Sequence, residues 1–262
     1  MFSIEIETSP EEKDLLVAEL WEEGCSGISE LDDGHLRVFF EDQDRRESLI
    51  QTFRAASWRE EVQQDWVAMS RAGWEPLSVG ERFFLVPEWR DDPAPPGRFR
   101  IVVNPGMAFG TGIHETTRLC LEALESYVRP ASPLLDVGTG SGILARAGAL
   151  LGAAPVWACD VDPIAVEIAR SNLEAAVFVG SIDAVRPGSA AVTVANISPE
   201  AIAALAPALL DSLRPGGIAL VSGFEKGEVA SVRQAVEQIG GQIQDTRYKG
   251  NWALLSVTKP TG

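Results

Sequence analysis

Phe2, Ile4 and Ile6 alternate with polar residues, a period of two that predicts a half-buried strand. Ser9-Pro10-Glu11-Glu12 then supplies an N-cap, a proline for the first helical position and a capping-box glutamate. Leu15, Leu16, Leu20 and Trp21 carry the apolar stripe of that helix, and Gly24 is placed to end it. Ile28 to Leu31 and Leu36 to Phe40 flank Asp32-Asp33-Gly34-His35, a hairpin signal. A second helix is predicted over Arg45–Ala56 with Leu49, Ile50 and Phe53 inward, followed by a short strand over Trp58–Val62. The resulting β-α-β-β-α-β order is ferredoxin-like, and nothing in it looks catalytic.

Asp65–Arg71 lacks glycine and proline and reads as a short connecting helix, interrupted by Gly73-Trp74-Glu75-Pro76. Phe83-Phe84-Leu85-Val86 is a strand candidate, and Asp91 to Gly97, rich in proline, is a loop. From Arg98 the pattern becomes an alternation. Strands are expected near 99–103, 133–137, 156–160, 177–179, 191–196, 217–222, 243–248 and 252–258. Helices are expected over about 114–127, 142–151, 163–174, 199–213 and 225–239. Strands separated by helices of that length form parallel βαβ units with helices on both faces. Only Tyr248-Lys249-Gly250-Asn251 joins the last two strands, too short for a crossover, so the final strand must pair antiparallel. The domain reading is therefore a unit over 1–62, a linker helix over 63–73 and an α/β domain over 74–262.

Composition narrows the class. The 262 residues are 45% hydrophobic and 23% charged, enough for a sizeable core. No apolar run is long enough to span a bilayer as a helix, and the N-terminus lacks a basic stretch followed by an apolar one. A cytoplasmic protein without membrane contact is expected. Cys25, Cys120 and Cys159 have neither disulfide-framework nor zinc-site spacing, so no metal is expected. The net charge is −16, and residues 1–65 carry 18 acids and 6 bases. Such a chain repels nucleic-acid phosphates and favours a basic partner; the plainer alternative is that its acidity only keeps it soluble.

The candidate chemistry begins at Leu134-Leu135-Asp136-Val137-Gly138-Thr139-Gly140-Ser141-Gly142, an apolar strand running into a glycine-rich turn that opens a helix. Glycines permit close backbone approach to a ligand, and the helix start presents unpaired N–H groups. Twenty residues after Gly140, a second strand ends at Asp160, where a carboxylate can accept the two hydroxyl protons of a ribose. Ile143 stands where a dinucleotide fingerprint has its third glycine, and Asp136 is placed to hold a positively charged amino acid moiety. Val194-Ala195-Asn196-Ile197-Ser198-Pro199 ends another strand. It resembles the Asn-Pro-Pro-aromatic motif of methyltransferases acting on nitrogen, which implies that the Asn196 side-chain oxygen orients an attacking amine, unless Asn196 merely caps the next helix. His114 is a candidate base or a loop lock, and the tryptophans read as core or interface.

These elements resemble the class I S-adenosylmethionine-dependent methyltransferase fold, a Rossmann-like α/β sheet with an antiparallel terminal hairpin. Gly106-Met107-Ala108-Phe109-Gly110-Thr111-Gly112-Ile113-His114-Glu115-Thr116-Thr117 makes the resemblance specific. That pattern is similar to the ribosomal protein L-eleven lysine methyltransferase family, and the Asp65-Trp66, Asp136–Gly142, Asp160-Val161-Asp162-Pro163 and Ala195-Asn196-Ile197 segments follow in the family's order. The resemblance implies S-adenosylmethionine as cofactor and methylation of lysine side chains, and in some members the N-terminal amine, of one large-subunit ribosomal protein. It implies that Thr117, Gly138, Gly140, Asp160 and Asn196 contact the cofactor, that Phe109, Gly110, Thr111 and His114 close the site, and that Asn196 is the catalytic group. It also implies that the N-terminal unit recognises the substrate. A monomer is expected. The alternatives are a methyltransferase of the same fold acting on another protein or a small-molecule amine, a dehydrogenase, and a binding module without catalysis.

Overall fold

The computed structural model describes residues 1–9, 13–32, 34–60, 75–104 and 114–259. The expected linker helix over 63–73 lies outside the described residues, as do Pro10 to Glu12 of the first helix start and the end of the strand expected to reach Val62. The chain divides into two compact units, Met1–Trp74 and Glu75–Gly262.

The first unit runs β1 (Phe2–Glu7), α1 (Lys13–Glu22), β2 (Gly27–Asp32), β3 (His35–Phe40), α2 (Arg46–Thr52) and β4 (Ser57–Glu60). Its sheet order is β2-β3-β1-β4, with every pair antiparallel. Phe2, Ile4 and Ile6 pack with Leu36, Val38 and Phe40 of β3 against Leu20 and Leu49 from the two helices. The period-two reading of β1 therefore corresponds to its buried face. The second helix is shorter than the expected 45–56. Arg54 adopts a left-handed φ of 48°, and Ala56 N–H donates to the Glu5 carbonyl, so the chain has already turned to pair with β1.

The second unit holds β5 (Leu77–Val79), β6 (Phe83–Pro87), β7 (Phe99–Val103), α3 (Glu115–Tyr127), β8 (Leu134–Val137), α4 (Ile143–Leu150), β9 (Val156–Asp160), α5 (Pro163–Asn172) and β10 (Ala176–Val179). It continues with β11 (Ala190–Asn196), α6 (Pro199–Ser212), β12 (Leu213–Glu225), α7 (Val229–Glu237), β13 (Gln242–Lys249) and β14 (Trp252–Thr258). Seven strands form the main sheet in the order β10-β9-β8-β11-β12-β14-β13. The first five are mutually parallel, and β14 lies antiparallel between β12 and β13. β8 is fully buried along its length, as a parallel strand covered on both faces must be.

Two differences from the expectation in this unit bear on the main sheet. Residues 99–103 do form a strand, but β7 pairs with β6 in a separate three-stranded sheet and takes no place in the main one. The last helix starts at Val229 instead of 225, because β12 runs on to Glu225, which pairs with Trp252. Among the described residues no helix is long and apolar enough to cross a membrane.

Candidate functional site

The order of the main sheet reverses at β8, with β9 on one side and β11 on the other. Open parallel sheets leave a crevice beyond the strand ends at such a point. A cleft of about 1020 Å³ occupies that position, bounded by Gly138 to Gly140 after β8, Asp160 at the end of β9, Gly180 after β10 and Asn196 at the end of β11.

The glycine turn is built for close approach. Gly138, Gly140 and Gly142 have φ of 69°, 54° and 82°, a region open to glycine at little cost. Gly138 N–H and Thr139 N–H both donate to the Cys159 carbonyl, which ties the turn to the end of β9. A Cβ on Gly138 would stand 2.4 Å from Ile197 Cγ2, so the turn and the β11–α6 loop touch where only hydrogen fits.

Asp160 accepts one backbone amide on each oxygen, Gly140 N–H at 2.9 Å and Asp162 N–H at 3.1 Å. A carboxylate oxygen has two lone-pair sites, so each retains one for a hydroxyl donor in the cleft. Asp162 caps α5 through Ile164 N–H at 2.9 Å, with Pro163 in the first turn. The residues present therefore fit a ribose-bearing cofactor: an acceptor pair at the second strand end and a glycine turn before a helix start.

Asp136 does not line the cleft, against the expectation that it faces a cationic moiety. It is completely buried, and its Oδ2 accepts from Thr139 Oγ1 at 2.7 Å and Ala145 N–H at 3.0 Å. The carboxylate braces the turn from beneath, while among the described residues Oδ1 has no hydrogen-bond partner. Burial pushes its pKa up to about 6, despite the two hydrogen bonds that favour the charged form. Burial likewise pushes the neighbouring Cys159 thiol up to about 12, which leaves it an inert wall residue.

Asn196 is not a helix cap. Ser198 takes that role for α6, accepting from Ala201 N–H at 3.3 Å with Pro199 following. The Asn196 amide is left to donate from Nδ2 to Thr117 Oγ1 at 3.3 Å. Among the described residues, Oδ1 accepts no hydrogen bond. Thr117 itself is buried in the first turn of α3.

His114 caps α3. Its Nδ1 accepts from Thr116 N–H at 3.4 Å and lies 2.8 Å from Thr116 Oγ1. With that lone pair engaged, Nδ1 is unsuited to serve as a base. The ring meets Trp252 edge-on at 4.5 Å between centroids, and Trp252 lines the same cleft. The scatter of tryptophans along the sequence hid this residue; its position immediately after the Gly250-Asn251 hairpin was the available signal. Phe109, Gly110 and Thr111 lie outside the described residues, whereas Thr117, Gly138, Gly140, Asp160, Asn196 and His114 all border the cleft.

Comparison with known proteins bears on the same features. The profile of a family described as ribosomal protein L11 methyltransferase (PrmA) matches residues 42–260. The chain is 39% identical to the ribosomal protein L11 methyltransferase of Pelotomaculum thermopropionicum over 210 residues, covering 78% of this chain and 68% of that protein. It is 44% identical to the corresponding protein of Burkholderia ambifaria over 207 residues, covering 77% and 67%. The crystal structure of a ribosomal protein L11 methylase from Lactobacillus delbrueckii subsp. bulgaricus superposes with a TM-score of 0.66 at 31% identity, over 71% of this chain and 99% of that one. A methyltransferase sheet with its cleft at the β8 reversal, matched over most of its length by these proteins, places this chain in the ribosomal protein L11 methyltransferase family.

Proposed function

We propose that the protein transfers methyl groups from S-adenosylmethionine to lysine side-chain amines, and to the N-terminal amine, of large-subunit ribosomal protein L11. The observation that carries this reading is the Asn196 amide, held by Thr117 beside the glycine turn with its Oδ1 unengaged by any described residue. When bound, S-adenosylmethionine supplies an electrophilic methyl carbon on a sulfonium.

The chain's contribution is positioning. Asp160 holds the ribose hydroxyls, and Gly138 and Gly140 let the backbone approach the cofactor closely. Asn196 Oδ1 accepts an N–H of the incoming amine and turns its lone pair toward the methyl carbon. A free lysine has a pKa of ~10.4 and only its neutral form attacks, so the proton must leave first. The cleft assists this step through its apolar walls, which include Ile143, Leu144, Ile197 and Leu205, because desolvation lowers a lysine pKa. With His114 Nδ1 engaged by Thr116, solvent is the proton's destination. Phe109, Thr111 and His114 are assigned to closing the site.

The acidic unit over residues 1–62 is the substrate-recognition part, and residues 63–73 are its linker. Its charge favours a basic protein over nucleic acid, and the enzyme acts as a cytoplasmic monomer. Mass spectrometry of L11 after incubation with the protein and S-adenosylmethionine tests the reading. Mass increments of one methylene each, located on lysine or the N-terminus, are expected. An unmodified L11 alongside tight cofactor binding would redirect the activity to another amine.

A further inference from the structure

Helix α1 has apolar residues on both sides. Leu16, Val17 and Leu20 pack into the core of the first unit, yet Leu15 is 67% and Trp21 is 54% exposed. A surface helix normally confines its apolar residues to one buried stripe, and α1 departs from this by carrying a leucine and a tryptophan on its outer side as well. Leu15, Ala18 and Trp21 recur at intervals of three, which lines them up along that side, and Ala18 is itself exposed.

Charge adds a second, independent feature. The sequence from 11 to 23 contains Glu11, Glu12, Asp14, Glu19, Glu22 and Glu23 against one base, Lys13. That base is engaged by Glu30 at 2.6 Å, and Glu23 is paired with Arg45. Glu19, exposed beside Ala18, has no partner among the described residues.

We infer that the outer side of α1 docks a basic amphipathic segment of the protein substrate, with Leu15 and Trp21 as apolar anchors and Glu19 as an ionic contact at their rim. This rests on the proposed methylation of a basic protein and names the surface that receives it. Tryptophan is over-represented among the residues that dominate interface energies, and the exposed Glu19, on a segment with six acids and one base, selects lysine- and arginine-rich partners. A second copy of this chain fits poorly. It would oppose an equally acidic helix, within a molecule of net charge −16.

The test uses the full chain with Leu15→Ser/Trp21→Ser and, separately, Glu19→Lys. Steady-state methylation of folded L11 is compared with cofactor affinity and with the mass in solution. The double variant is expected to raise KM for L11 by roughly tenfold or more while kcat and cofactor affinity stay unchanged. Glu19→Lys should raise KM less and flatten its dependence on salt. Unchanged KM in both variants would overturn the assignment. So would a wild-type dimer that dissociates in the double variant, or a loss of cofactor affinity, since α1 would then serve self-association or internal packing. An inactive wild type would overturn the methylation reading itself and leave the docking proposal without its substrate.

Discussion

Asn196 and Thr117, 79 positions apart in sequence, meet through an Nδ2 to Oγ1 hydrogen bond of 3.3 Å at the lip of the cleft. With Nδ2 directed at the threonine, Oδ1 is the end available to an amine.

Asn196→Ala is therefore expected to lower the methylation rate strongly while S-adenosylmethionine affinity changes much less. Thr117→Val should move in the same direction more weakly, and Thr117→Ser should restore the rate because it keeps the acceptor. Single-turnover rates beside calorimetric affinities check this. Lost affinity with a normal rate at saturation would make Asn196 a cofactor contact only.

Asp160→Ala removes an acceptor pair for two hydroxyls. A hydrogen bond to a charged group is worth ~1.5–3 kcal/mol, so affinity for S-adenosylmethionine should fall by roughly tenfold or more. Calorimetry on the folded variant measures it directly. An unaltered dissociation constant would mean that the ribose is held elsewhere.

The contact between Gly138 and Ile197 predicts a coupled pair. Gly138→Ala places a methyl 2.4 Å from Ile197 Cγ2 at a φ of 69°. Backbone strain of this kind costs ~1–3 kcal/mol, before any steric overlap. Ile197→Ala removes the opposing methyl, so the double variant should recover part of the loss in urea unfolding. Strict additivity of the two changes would show that the overlap is relieved by other means.

Asp136 predicts a pH signature. Its carboxyl titrates near 3.8 when the chain is unfolded and at about 6 when folded. The folded state thus binds the proton more tightly, and stability from this residue is fully present below pH ~4. It is lost as pH rises through about 6, by ~3 kcal/mol at most. Asp136→Asn keeps an acceptor for Thr139 and Ala145 without a charge. The stability difference between variant and wild type should shift in the variant's favour between pH ~4 and ~6 and stay constant above. A difference independent of pH would place the ionised carboxylate in a better-solvated site.

What the sequence made legible was whatever is written locally. Period-two spacing located β1 and an apolar stripe located α1, because burial on one face dictates that spacing. The glycine turn and Asp160 were readable for a related reason, since their chemistry depends on neighbours close in sequence. The position of residues 99–103 was not. Which sheet β7 joins depends on parallel pairing with β6 across the loop from 88 to 98, a choice that its own residues do not encode. Trp252 escaped for the same cause: it reaches the cleft because β14 is inserted beside β12, bringing it to His114. Asp136 was read as a ligand contact because spacing does not reveal depth. Only the packed structure shows the carboxylate spent on Thr139 and Ala145.

The place of β14 between β12 and β13 governs the order in which the molecule can be assembled. On the ribosome β13 emerges before β14, yet among the described residues β14 is the one strand with which β13 pairs. Until residues 252–258 appear, β12 and β13 both present unpaired edges, and the Trp252 wall of the cleft is missing. An enzyme of ribosomal proteins thus has a nascent form that is open to strand-pairing with other chains and whose cleft lacks one wall.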